Sequence, residues 1–311
     1  MTRPLLLVIT LALLAALPLQ ARELNGFKLD DASVPPAEIQ HGGPPRDGIP
    51  ALNNPKFVTE GEADFLKPKD RVLGVLVEGI ARAYPISILN WHEIVNDRIG
   101  NTPVLVTFCP LCGTGMSFSP VIDDKTLTFG VSGLLYNSDV LLYDKQSESL
   151  WSQIIATSVN GPHKGRTLQT INTWNTTWQD WRSRHPNTVV LSTDTGFSRD
   201  YLRNPYAGYE DNDRLLFDVR ESAEDFHPKE LVLGLSDGSA RKAWPFVELR
   251  KAATTVKDTL NGKPVLISYD ELSNSARAYD ENGEELTALI AFWFAWHAFH
   301  PETEVYRAGA K

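Results

Sequence analysis

Short apolar runs, separated by glycine and proline, set the rhythm of this chain. Val72–Val77 reads as a strand, Glu78-Gly79 as a turn and Ala81–Tyr84 as the returning strand. Pro85 suits the first position of a helix, where its missing N–H costs nothing. The pattern then predicts a helix to about Ile99, closed by Gly100, with Ile88, Trp91, Val95 and Ile99 as its buried stripe. Val104–Phe108 is the next apolar strand, and Met116–Phe118 another. Ala291–Phe299 is apolar but short, and reads as a buried or half-buried helix.

The same pattern recurs. Pro68-Lys-Asp-Arg-Val-Leu-Gly74 matches Pro228-Lys-Glu-Leu-Val-Leu-Gly234, and Ala81-Arg-Ala-Tyr-Pro85 resembles Ala240-Arg-Lys-Ala-Trp-Pro245. Pro103-Val-Leu-Val-Thr-Phe108 matches Pro264-Val-Leu-Ile-Ser-Tyr269, and His185-Pro-Asn-Thr188 matches His300-Pro-Glu-Thr303. Four matches in one order predict an α+β fold. Its expected form is two diverged repeats of a strand-strand-helix-strand unit with mostly antiparallel sheets, and a long insertion, about 130–173, in the first repeat. The expected division is a signal peptide over 1–21, an irregular Pro/Gly-rich arm over 22–67, a first repeat over 68–200 and a second over 201–311. In the arm, His41-Gly-Gly-Pro-Pro-Arg-Asp-Gly-Ile-Pro50 has no regular period. It reads as a surface linker, or, through Arg46 and Asp47, as a lid.

Residues 1–21 combine Arg3, the apolar run Leu5–Ala16, Pro18 and the small residue Ala21. The run falls short of the roughly 20 apolar residues of a span, so a cleaved signal, a periplasmic or secreted location and no stable membrane span afterwards are expected. The net charge of −9 excludes a general nucleic-acid surface. No phosphate loop or dinucleotide fingerprint appears, so no nucleotide cofactor is expected. No serine triad can be traced: Gly130-Val-Ser-Gly133 is one residue short of a nucleophile elbow.

Both cysteines of the chain lie in one motif, Cys109-Pro-Leu-Cys112-Gly113. A disulfide there would close a tiny loop and constrain the unfolded chain weakly. In a thioredoxin-like site the second cysteine opens a helix. Here Gly113-Thr-Gly115 and a strand follow, which is the setting of a metal knuckle. Two sulfurs need further ligands. On the predicted helix His92 points inward, toward the strand that ends at Cys109. A lone inward histidine is by default a satisfied core residue. The second copy weighs against that default: it carries Ala252 and Ala253 at the two positions that align with His92, and Asp270 and Ser273 for the cysteines. Cys109, Cys112 and His92 are therefore the candidate catalytic and metal-binding set, with zinc or copper as the ion. His41, His163 or Met116 could complete it. Glu93 should meet solvent or a loop. Tyr136-Asn-Ser-Asp139 reads as a turn, or as a group that orients the histidine or binds substrate. Trp151, Trp174, Trp178 and Trp181 read as core.

These residues carry a family resemblance. Gly42–Pro50, Ala81–Pro85, Asn90–Asp97, Phe108–Thr114 and Phe129–Asp139, with Leu150–Gln153 and Asp194–Asp200, resemble the domain-of-unknown-function family 3179. The resemblance covers nearly the whole mature chain. It implies an exported or envelope protein of bacteria or archaea and brings no established reaction.

Three functions compete at this point. One is a metal centre, catalytic or copper-handling, at Cys109, Cys112 and His92. Another is metal-free thiol chemistry, by disulfide cycling or a Cys–His nucleophile. The third is a ligand-binding protein whose cysteines pin a loop. The partner is an unidentified small molecule or metal ion.

Overall fold

The computed structural model describes residues 22–252 and 254–309. The predicted signal peptide and Ala253 lie outside the described residues. The α+β expectation is overturned: strand makes up 43% and helix 11%, and the sheets form a five-bladed β-propeller.

The correction has a local cause between Pro85 and Gly100. The helix ends at His92, because Glu93 takes a left-handed φ of 56°. Ile94–Ile99 is a strand, paired antiparallel with Thr102–Cys109 from Ile94↔Thr107 to Ile99↔Thr102. Val95 and Ile99 are buried in that sheet, not on a helical stripe. The β-branched residues of this run pack on a pleated surface better than on a helix, and pairing settles the choice. The helix Ile86–His92 is thus a short link between two blades. One contains Arg71–Val77 and Ile80–Pro85; the next contains Ile94–Ile99 and Thr102–Cys109. Strands that the repeat reading joined in one unit belong to different sheets.

Two blades position the cysteines. The cysteine blade runs Gln169–Ile171, Thr114–Ser119, Thr102–Cys109, Ile94–Ile99, Leu52–Asn53 in spatial order. The aspartate blade runs Thr157–Asn160, Leu150–Ser152, Asp139–Asp144, Phe129–Tyr136, Ile39–His41. Arm residues 22–67 therefore supply edge strands as well as turns. Arg46 lies over the Phe27 and Tyr143 rings, and Asp47 accepts a hydrogen bond from Tyr143.

The hairpins Arg71–Val77/Ile80–Pro85 and Leu231–Asp237/Ala240–Pro245 pair alike, Val72↔Pro85 and Val232↔Pro245. Gly74 faces Trp181 and Gly234 faces Trp296. Trp151, Trp178 and Trp181 are fully buried, and Trp174 is half-buried. Ala291–Phe299 divides between the strand Leu289–Phe292 and the helix Trp293–Phe299. Among the described residues no helix is long and apolar enough to cross a membrane.

Candidate metal centre

Cys109 is the last residue of its strand and pairs with Thr114, the first residue of the next. The connection Pro110-Leu-Cys112-Gly113 is tight. Cys112 N–H donates to Cys109 O (3.2 Å), and Gly113 turns the chain at φ 62°. A Cβ on Gly113 would lie 2.9 Å from the Phe292 ring, so glycine is required twice over. Phe292 N–H holds the loop through Cys112 O at 2.8 Å. Both cysteines are free thiols and are fully buried.

A second hairpin meets this loop. Phe129–Tyr136 and Asp139–Asp144 pair through Tyr136↔Asp139, joined by Asn137 and Ser138, both with positive φ. That is the two-residue hairpin geometry that matches strand twist, here built without glycine. It aims Ser138 O at the thiols, 3.3 Å from Cys112 Sγ and 3.9 Å from Cys109 Sγ. It also places the Asp139 carboxyl beside them. The ligand atoms of Cys109, Cys112 and Asp139 all lie within 4.8 Å of one another. Ile154 N–H donates to Asp139 Oδ2 at 3.1 Å, while Oδ1 is buried without a hydrogen-bond partner among the described residues.

Electrostatics matches this burial. Loss of water pushes Asp139 up to about 7, despite support from the Ile154 and Val140 N–H groups and the thiols. Burial, with Cys109 and Asp139 alongside, pushes the Cys112 thiol well up. Glu93 is buried, contrary to expectation, and burial with the nearby Asp139 raises it to about 8. Tyr206 and Tyr209 are raised too, first by burial and then by the neighbouring acidic groups, Glu93 and Cys109 for Tyr206 and the two thiols for Tyr209. The pocket thus gathers groups that would release protons to a cation.

His92 is buried, as expected, but its ring nitrogens have other partners. Nδ1 donates to Pro50 O at 2.7 Å, since a carbonyl only accepts. Nε2 therefore accepts from Tyr201 Oη (2.7 Å), which in turn meets Thr195 Oγ1 at 2.6 Å. Burial lowers the His92 pKa, against the Pro50 hydrogen bond that raises it, and the charge of Arg199 adds to the lowering. The structure brings Cys109 and Cys112 together with Asp139. Among the described residues, His92, His41 and His163 are not in the group.

Asp139 had one legible signal. It stands between the apolar runs Phe129–Tyr136 and Val140–Tyr143, so its strand is buried on both faces, and a carboxylate there needs a partner. Glu93 carried no such signal, because the predicted helix turned it outward.

At the equivalent turn of another blade, Asp270 pairs with Ser275 and accepts a hydrogen bond from Ser273. That turn closes on itself without cysteine.

Fold and site together define a five-bladed β protein with a buried thiol–carboxylate cluster between two blades. A family model described as "Protein of unknown function (DUF3179)" matches residues 46–303, and the chain belongs to that family. Comparison with curated proteins and with solved structures gave no significant match.

Proposed function

We propose that this is an exported metalloprotein whose Cys109, Cys112 and Asp139 hold a zinc ion. One observation carries the reading: Asp139 Oδ1, buried and without a hydrogen-bond partner among the described residues, shares a cluster with two thiols. An orphaned buried carboxylate oxygen costs free energy unless hydrogen-bonded or bound to a cation. Two thiolates and a carboxylate suit zinc, whereas a carboxylate is a poor ligand for soft copper(I). Three protein ligands are the count of a catalytic zinc site, which keeps a further position for water or substrate. When bound, zinc would act there as a Lewis acid.

Metal-free thiol chemistry has less support. A reactive thiol is partly exposed and has a low pKa. Both thiols here are buried, and Cys112 is raised.

Elemental analysis of protein purified without a histidine tag tests the proposal. The expected result is one zinc per chain, lost in Cys109→Ser and Asp139→Asn but kept in His92→Gln. Wild-type protein that arrives metal-free and takes up no zinc would refute it.

A further inference from the structure

Beside the cysteine loop lies a cavity of about 300 Å³, at the small end of ligand pockets. Its walls are mostly aliphatic and aromatic, with Leu111, Val131, Val140, Tyr206 and Phe217 among them. Leu111 sits between the two cysteines, and Val140 follows Asp139. Glu93 is the only carboxyl in the lining among the described residues. It is 7% exposed. Its backbone is committed elsewhere: N–H to Leu89 O and C=O to Phe108 N–H. The left-handed conformation at Glu93 is costly for a residue with a side chain, and such conformations cluster at binding sites. Leu216, 58% exposed, forms part of the rim and gives the cavity access to solvent.

We propose that this cavity binds a small, largely apolar molecule bearing one hydrogen-bond-donating head, an amine or a hydroxyl, which the Glu93 carboxyl receives. The apolar walls take the body of the molecule. A polar group buried in such walls needs one matched partner, and Glu93 supplies it. An anionic head would lose its water in an apolar lining that holds no cationic side chain among the described residues, and would be disfavoured. The bound head would lie next to the thiol–carboxylate cluster. The cavity itself stands whether or not zinc is present.

Benzylamine, benzyl alcohol and benzoate are suitable probes, titrated by calorimetry into the full chain. Benzylamine and benzyl alcohol should bind saturably, and benzoate at least tenfold more weakly. Glu93→Gln should weaken benzylamine at least tenfold. Cys109→Ser, which removes a metal ligand, should still bind both probes, so a failed zinc assignment and a failed cavity are told apart. A second measurement needs no variant: intermolecular NOEs from bound benzyl alcohol to the methyls of Val131, Val140 and Leu216 in the wild type. Benzoate binding as tightly as benzylamine, or NOEs to methyls elsewhere, would overturn the proposal. So would saturation by none of the three.

Discussion

Asp139 and Glu93 are two carboxyls held out of water within each other's field. In the metal-free protein their folded pKa values, about 7 and about 8, lie above the ordinary carboxylate range. Folded protein therefore binds more protons than unfolded protein across that interval. The stabilisation is complete below about pH 4 and is lost as pH rises through 7 to 8. Apo protein should accordingly melt at lower temperature at pH 8 than at pH 5.5, unlike most proteins. Glu93→Gln should flatten the profile, removing a pH-dependent contribution of about 5 kcal/mol, at 1.36 kcal/mol per pKa unit. Melting curves of metal-free wild type and variant across that range check this. A wild-type profile that rises toward pH 8 would contradict the burial of these groups. Zinc reverses the sign: its ligands must shed protons, so affinity should climb with pH and binding should release protons into a weak buffer. Of this residue-scale chemistry the cysteines were legible, because their spacing is local. Asp139 was only half legible: its buried strand called for a partner, but which partner was hidden, because the cysteines come from a separate hairpin about thirty residues away in the chain.

Among the elements, the contact of Gly74 with Trp181 fixes how the helix Trp178–Arg184 lies on its blade. An added Cβ would come 2.2 Å from Trp181 Cε3, and Gly234 stands in the same relation to Trp296. Both indoles are fully buried and tethered, Trp181 Nε1 to Thr188 Oγ1 and Trp296 Nε1 to Thr303 Oγ1, each at 2.9 Å. Neither ring can retreat without breaking that bond. Gly74→Ala and Gly234→Ala should each cost about 1–3 kcal/mol by overpacking. The contacts lie in different blades, so the double variant should cost nearly the sum. Urea denaturation of the three variants measures it; a neutral Gly74→Ala would mean the helix shifts freely. The strands flanking these glycines were readable from apolar runs and turn residues. The Ile94–Ile99 strand was not, since its apolar residues Val95 and Ile99 also fit a helical stripe. Only Glu93 φ and pairing with Thr102–Cys109 decide between them.

Closure into five blades depends on pairings between distant segments: Ile39–His41 with Phe129–Tyr136, Phe57–Thr59 with Val189–Leu191, Gln169–Ile171 with Thr114–Ser119. No local pattern encodes them, and a two-unit reading followed from the local likeness alone. The same long reach brings residues 193–228, which hold no strand or helix, across the cysteine cluster. Tyr209 packs into the core that contains Cys109 and Cys112, and Leu215, Phe217 and Val219 pack against it. Polar contacts pin this cover. Gln40 donates to Asp218 O (2.9 Å), and Arg220 N–H donates to Asn137 Oδ1 (2.9 Å). Buried Lys229 donates to Arg214 O at 2.6 Å and to Asn212 O, with its ammonium 4.3 Å from the Tyr209 ring centroid. Lys229→Met keeps the apolar stem but deletes two charge-assisted bonds and the cation over Tyr209. Hydrogen bonds to charged groups contribute about 1.5–3 kcal/mol each, so local opening of the cover should become at least roughly tenfold more frequent. Metal-free wild type should then react slowly with a thiol reagent such as DTNB, and the variant at least about ten times faster. Both should react equally in guanidinium, and amide exchange should speed up within residues 205–220 while the blade strands stay protected. An unchanged labelling rate with intact blades would mean that the thiols are reached by another route, and that the segment merely covers surface.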